Sequence, residues 1–180
     1  YSFVPGQGIQ VGGLVNNVSS QAGLLGIPEL KQETSTNFTL GLGGKVNRNL
    51  TFTVDYYSIN VEDRIVLSTE ITPPALPAFD GLSDLSFFVN ALDTKTSGID
   101  VVIGYNKIEA GDGMLGFNLS GNYVIENARD GAVKNPASVA ATGQSVVNAT
   151  QEALFFTSRP ETKWILGTTY DINKWGFNLN

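Results

Sequence analysis

Apolar and polar residues alternate at every second position through much of this chain. In 37–46, Phe38, Leu40, Leu42 and Val46 share one face with Gly44, against Asn37, Thr39, Gly41, Gly43 and Lys45. In 50–61, Leu50, Phe52, Val54 and Tyr56 oppose Thr51, Thr53, Asp55, Tyr57 and Ile59. Ile99, Val101, Ile103 and Tyr105 then oppose Gly98, Asp100, Val102, Gly104 and Asn106. Leu115, Phe117, Leu119, Tyr123 and Ile125 oppose Gly116, Asn118, Ser120, Asn122, Val124 and Glu126. Trp164, Leu166 and Tyr170 oppose Lys163, Ile165, Gly167, Thr169 and Asp171, and a sixth run begins at Trp175, Phe177 and Leu179. Side chains alternate between the faces of a strand, so this period predicts strands near 37–46, 50–61, 97–106, 114–126 and 163–171, with one more at the C-terminus. One face is apolar nearly throughout. Only Tyr57, Ile59, Val102, Val124 and Ile165 interrupt the polar or small character of the other.

The connections sort by length. Asn47-Arg48-Asn49, residues 107–113 and Asn173-Lys174 are short, whereas 62–96 and 127–162 are long and rich in Pro, Ala and Ser. In an antiparallel meander alternate connections fall on opposite ends. The short turns therefore share one end, and the two long loops share the other with residues 1–35. The expected fold is all-β, an antiparallel meander of about six strands. The expected organisation is 1–35 as a loop on the long-loop side, then 36–180 as strands with long loops near 62–96 and 127–162. Loops this long are usually functional, so the stretch 73–85 is expected to serve recognition rather than stability.

Three architectures share such alternation. A soluble sandwich has shorter strands and does not sort its loops so cleanly. A soluble ligand-binding barrel points apolar residues inward and carries Lys and Glu outside. Here only 16% of residues are charged and there are 20 Gly, so the polar face is small and weakly charged. A transmembrane barrel has an apolar lipid face, a polar lumen, short turns at one end and long loops at the other. Tyr56, Tyr105, Tyr123, Trp164, Tyr170 and Trp175 sit near strand ends on the apolar face, where amphipathic rings favour a membrane interface. The meander thus reads as strands of a transmembrane β-barrel.

Composition removes other classes. The net charge of −6 argues against nucleic acid as a partner. With no Cys and no His, a disulfide framework, a thiolate metal site and the commonest general base are all missing. No catalytic residue, metal ligand or cofactor site is expected. The N-terminus has neither a basic start nor an apolar signal core, so an internal piece of a longer polypeptide is expected.

Four short segments carry a family resemblance. Leu30-Lys31-Gln32-Glu33-Thr34-Ser35, running on to Asn37 and Gly41, resembles the step from an extracellular loop into a barrel strand in TonB-dependent outer-membrane receptors. Asp55-Tyr56-Tyr57, followed by Asp63-Arg64-Ile65, resembles the next strand of that family. Asn90 with Gly98-Ile99-Asp100 is similar to a further strand start, and Arg159-Pro160 with Lys163 to a later one. The wording is closest to Bacteroidetes-like receptors. The resemblance implies a barrel of about 22 strands, plugged by an N-terminal domain that engages an inner-membrane energy-transducing complex. These residues are accordingly expected to form a segment of that large transmembrane β-barrel and to fall outside the plug and the closing strand. The implied setting is the bacterial outer membrane, and the implied activity is binding and import of a scarce nutrient such as a ferric siderophore, vitamin or oligosaccharide. The alternative is a non-transporting surface β module, an adhesin or binding domain.

Candidate ligand contacts follow from position. Asp55, Tyr57 and Asp100 face the polar side, as lumen groups would. Asp63 and Arg64 mark the long-loop end of a strand, where a wet interface explains them as well as a ligand does. The pairs Phe87-Phe88 and Phe155-Phe156 could stack on a ligand or pack the loops together. Gly41-Leu42-Gly43-Gly44 lies in an alternating run and opens no helix, so it does not read as a phosphate loop. Expected partners are outer-membrane lipid, a small-molecule nutrient and the inner-membrane complex. A chain on its own is expected to self-associate or curl, burying Leu40, Phe52, Val54, Ile103, Phe117, Leu119 and Leu166.

Overall fold

The fold, taken from a computed structural model, is described for residues 2–5 and 8–180. In chain order the described residues form β1 (Ser2–Val4), β2 (Gly8–Gln10), β3 (Gly12–Val15), α1 (Ser20–Leu24), β4 (Thr34–Lys45), β5 (Leu50–Leu67) and a 3-10 turn (Pro77–Phe79). There follow β6 (Asp84–Ala110), β7 (Gly113–Arg129), α2 (Ala137–Ala141), α3 (Ala149–Phe156), β8 (Thr162–Ile172) and β9 (Trp175–Leu179). Strands β4 to β9 lie side by side in sequence order, so the meander is as expected. No helix among the described residues is long and apolar enough to cross a membrane.

The extents differ from expectation. β5 continues to Leu67 and β6 begins at Asp84, so much of 62–96 is strand. The reason is a second period-2 run: Leu85, Phe87, Val89 and Ala91 are buried, and Asp84, Ser86, Phe88 and Asn90 between them are not. Residues 127–162 hold α2 and α3 rather than a plain loop. The segment 1–35 contributes β1, β2, β3 and α1, with Tyr1, Gly6 and Gln7 lying outside the described residues. The antiparallel expectation fails once, where β3 pairs with β6 in parallel and Val15 stands opposite Phe87.

The chain divides into two compact units. The sheet unit comprises Thr36–Asn60, Lys95–Ala128 and Arg159–Asn180, and contains the short turns. Its register verifies the two faces. Leu119 stands opposite Leu166, Leu115 opposite Tyr170 and Gly121 opposite Trp164. Tyr170 in turn stands opposite Phe177. Residues directly opposite one another share a face, so the apolar positions do form one surface. Trp164 lies across Gly121 so closely that a Cβ there would collide with its ring. On the polar face, a Cβ at Gly98 would stand 2.7 Å from the Tyr123 carbonyl oxygen and collide with Tyr57.

The expected burial of Leu40, Phe52, Val54, Ile103, Phe117, Leu119 and Leu166 is not reached by curling of the single chain. None is buried, and Leu40 and Leu166 are 65% and 59% exposed. The faces are right, and the error was to expect the chain to cover its own apolar face. Closure needs strand number, tilt and stagger to match, and β4 and β9 instead end the path as edges.

The loop unit comprises Tyr1–Ser35, Val61–Thr94 and Arg129–Ser158, and contains the long connections. It has its own core. Leu85, Phe87, Val89, Ala91 and Leu92 pack with Val15, Ala22, Ile27, Val66, Ile71, Phe79, Val139, Val146 and Val147. Two residues of 73–85, Phe79 and Leu85, therefore stabilise this unit, contrary to the expectation that the stretch serves recognition alone. The buried edge of β6 is satisfied by the loops. Ile71 N–H donates to Leu85 O at 2.8 Å, Ser68 N–H to Phe87 O at 2.8 Å and Lys134 N–H to Ala91 O at 2.8 Å. α3 opens with a capping box in which Asn148 and Gln151 satisfy each other's backbone N–H groups.

Candidate functional site

The nine sequence-derived candidates fall into two groups, one in each unit. In the sheet unit, Tyr57 and Asp100 are joined by Asn122. Its Nδ2 donates to Asp100 Oδ1 at 2.8 Å and to the Tyr57 hydroxyl at 3.2 Å. Thr96 donates to Asn127 Oδ1 at 3.1 Å along the same pair of strands. Gly98 leaves the space that lets the Tyr57 ring lie down. Asp55 is half-buried, and its carboxylate lies over Gly41. These groups make a strip of carboxylate, amide and hydroxyl on the face opposite the exposed Leu and aromatic side chains.

In the loop unit Asp63 is the centre of a cluster. Its backbone is left-handed, with φ 54°, a conformation Asp tolerates better than most residues. Asp93 and Asn90 hold it there. Asp63 N–H donates to Asp93 Oδ1 at 2.8 Å, and Asn90 Nδ2 donates to Asp63 O at 2.6 Å. Lys134 Nζ bridges both carboxylates, at 2.8 Å from Asp63 and 2.6 Å from Asp93. The Lys134 hydrogen bond, then the Asp63 N–H, holds the Asp93 carboxyl below its ordinary value of 3.8. The two carboxylates raise Lys134 above its ordinary 10.5. Asn90 also exchanges hydrogen bonds with the Lys31 backbone, at 2.8 and 3.0 Å, so four distant segments meet here.

The remaining candidates separate. The Arg64 guanidinium lies over the Phe155 ring, 5.9 Å from its centre, and the Phe155 and Phe156 rings pack tilted with centres 6.1 Å apart. Arg129 pairs with Glu152 at 2.9 Å. Phe87 is 1% exposed and packs in the core, so it presents no stacking face at the outer surface. Phe88, its neighbour on the other face of β6, is 41% exposed and borders a hollow of about 540 Å³ with Leu14, Val18 and Leu30. Sequence reasoning missed Asn90, Asp93 and Lys134 as a site. Only the alternation from Leu85 to Ala91 signalled that this stretch was ordered strand. Among the described residues no group of His, Cys, Asp or Glu could hold a metal ion.

A family model described as TonB dependent receptor-like, beta-barrel, matches residues 1–180. The chain belongs to that family. No curated protein matches it. The TonB-dependent receptor family is an outer-membrane family of receptors and transporters, not enzymes. Its members work with the TonB energy-transducing complex and take small-molecule substrates. The open sheet with one apolar and one polar face is what a segment of such a barrel requires.

Proposed function

We propose that this receptor imports a scarce nutrient, a ferric siderophore, vitamin or oligosaccharide, into the periplasm using inner-membrane energy. The observation that carries the reading is the strip formed by Tyr57, Asn122 and Asp100 on the face opposite the exposed apolar residues. In this reading the apolar face meets lipid and the strip faces a lumen through which the solute passes. Asp55 belongs to the same lumen face. Arg64, Phe88 and the Phe155–Phe156 pair serve at the outer side, with the Asp63 cluster holding their backbone in place. Away from lipid and detergent, the chain self-associates through its uncovered face, which sedimentation of the refolded protein would show and a monodisperse monomer would refute.

The test is uptake of labelled solutes of the three classes by cells with and without the intact receptor. Loss of uptake of one class on deletion is expected. Tyr57→Phe combined with Asp100→Asn should lower that uptake while the receptor still assembles in the outer membrane. If cells bind a solute at the surface through the receptor yet accumulate none of it, the protein is a surface binding module instead.

A further inference from the structure

We propose that the loop unit holds a binding site for the medium-length acyl chain of a small amphiphile. The site is an apolar cavity of about 280 Å³ beside α1, α2 and the Pro-rich segment 71–76. Ile27, Ile71, Leu85, Phe87 and Val139 form its buried wall. Leu24 and Leu76 also line it, and both are exposed, so the cavity opens to solvent on their side.

Most of the polar groups that line the cavity are already engaged, the Thr72 hydroxyl and the Gln144 Nε2 excepted. The Ser138 hydroxyl donates to the Leu25 carbonyl. The Thr142 hydroxyl donates to Val139 O at 2.7 Å, and Gln144 Oε1 accepts from Thr72 N–H at 3.1 Å. A sugar or other hydroxyl-rich ligand would lose more water here than two polar groups could replace. That bond fixes the orientation of the Gln144 amide, and its Nε2 donors meet no acceptor among the described residues. An apolar wall whose free polar groups are an amide donor and the neighbouring Thr72 hydroxyl selects a run of CH2 groups that ends in a carbonyl or carboxylate. An apolar cavity of about 150 Å³ takes one benzene ring, and on that scale this one takes a straight chain of roughly eight to ten carbons. The site does not depend on which solute the receptor imports.

Calorimetric titration of the intact protein in lipid nanodiscs with straight-chain carboxylates of about six to fourteen carbons tests this, with empty nanodiscs subtracted. Affinity should rise about fourfold per added CH2, equivalent to about 0.8 kcal/mol, and level off near roughly ten carbons when the cavity is full. Val139→Phe, which fills the cavity, should weaken decanoate binding by about tenfold or more. Leu76→Trp narrows the exposed lip and should do the same with the buried wall intact, so a misfolded Val139 variant does not end the test. Gln144→Leu should weaken decanoate about fivefold and leave decane unchanged. Affinity that climbs past roughly ten carbons without a break, as partition into lipid does, overturns the proposal. So does unaltered binding in the two narrowed variants.

Discussion

Phe87 and Phe117 both lie in alternating runs of long strands, and their surroundings are opposite. Phe87, in the loop unit, is 1% exposed among Leu85, Val89, Ile71 and Val146. Phe117, in the sheet unit, is 38% exposed, and its face also carries Leu166 at 59% and Phe177 at 59%. The loop unit is built like a small soluble domain, with the apolar side chains of one strand stretch covered by loop residues that also satisfy its backbone. The sheet unit has no such cover among the described residues. Alternation therefore reports which side chains share a face, and whether that face meets protein or lipid depends on what else the fold brings to it.

The sharpest way to break this comparison is to truncate one aromatic in each unit. Phe87→Ala should cost about 3–5 kcal/mol, since it opens a cavity in a closed core. It should appear as early proteolysis of the long connections in the folded receptor. Phe117→Ala should leave the loops protected, because in the proposed function its face meets lipid, which relaxes around a missing side chain where a protein core does not. Equal loss of protection in both variants would erase the distinction.

A charge tests the two faces within the sheet unit. Leu119→Arg should cost about 2–4 kcal/mol in a bilayer, read from the denaturant midpoint of refolding into vesicles. Asn118→Arg, one residue away on the polar face, should cost far less. A smaller effect is expected at Gly98→Ala. The added methyl must push Tyr57 or the Tyr123 carbonyl aside, at about 1–3 kcal/mol, and the Tyr57–Asn122 hydrogen bond should be lost from the amide spectrum while Asn122 still pairs with Asp100.

The smallest effect is expected at the Asp63–Asp93–Lys134 cluster. Lys134→Ala should cost under about 1 kcal/mol, because the pairs are solvent-exposed. Its sign with pH is fixed by the two shifts. Asp93 is depressed, so its contribution is present above 3.8 and is lost as pH falls through its lower folded value. Lys134 is raised, so its contribution is present below 10.5 and is lost as pH rises through its higher folded value. Hydrogen exchange at Asp63 N–H should therefore be protected across the neutral range and loosen in acid, and Lys134→Ala should flatten the acid limb. An unchanged limb would show that the Asp63 N–H, rather than Lys134, sets the Asp93 titration.

Residues two apart on one strand point the same way whatever surrounds them. That local rule made the six strands, the two faces and the short turns legible from Phe38 to Leu179, and the register of Leu119 with Leu166 and Tyr170 with Phe177 repeats what the alternation implied. The same rule was present in Leu85, Phe87, Val89 and Ala91, beside a Pro-rich stretch that reads as loop. What the tertiary structure decided lies farther apart along the chain. Asp63 meets Asp93 across 30 residues and Lys134 across 71, and the acyl-sized cavity takes its wall from Ile27, Ile71, Phe87 and Val139. No periodicity links such positions, because their meeting depends on how the long connections fold back on β6 and pack a core there. Composition could say that these loops were apolar enough to pack, and only the fold could say upon what.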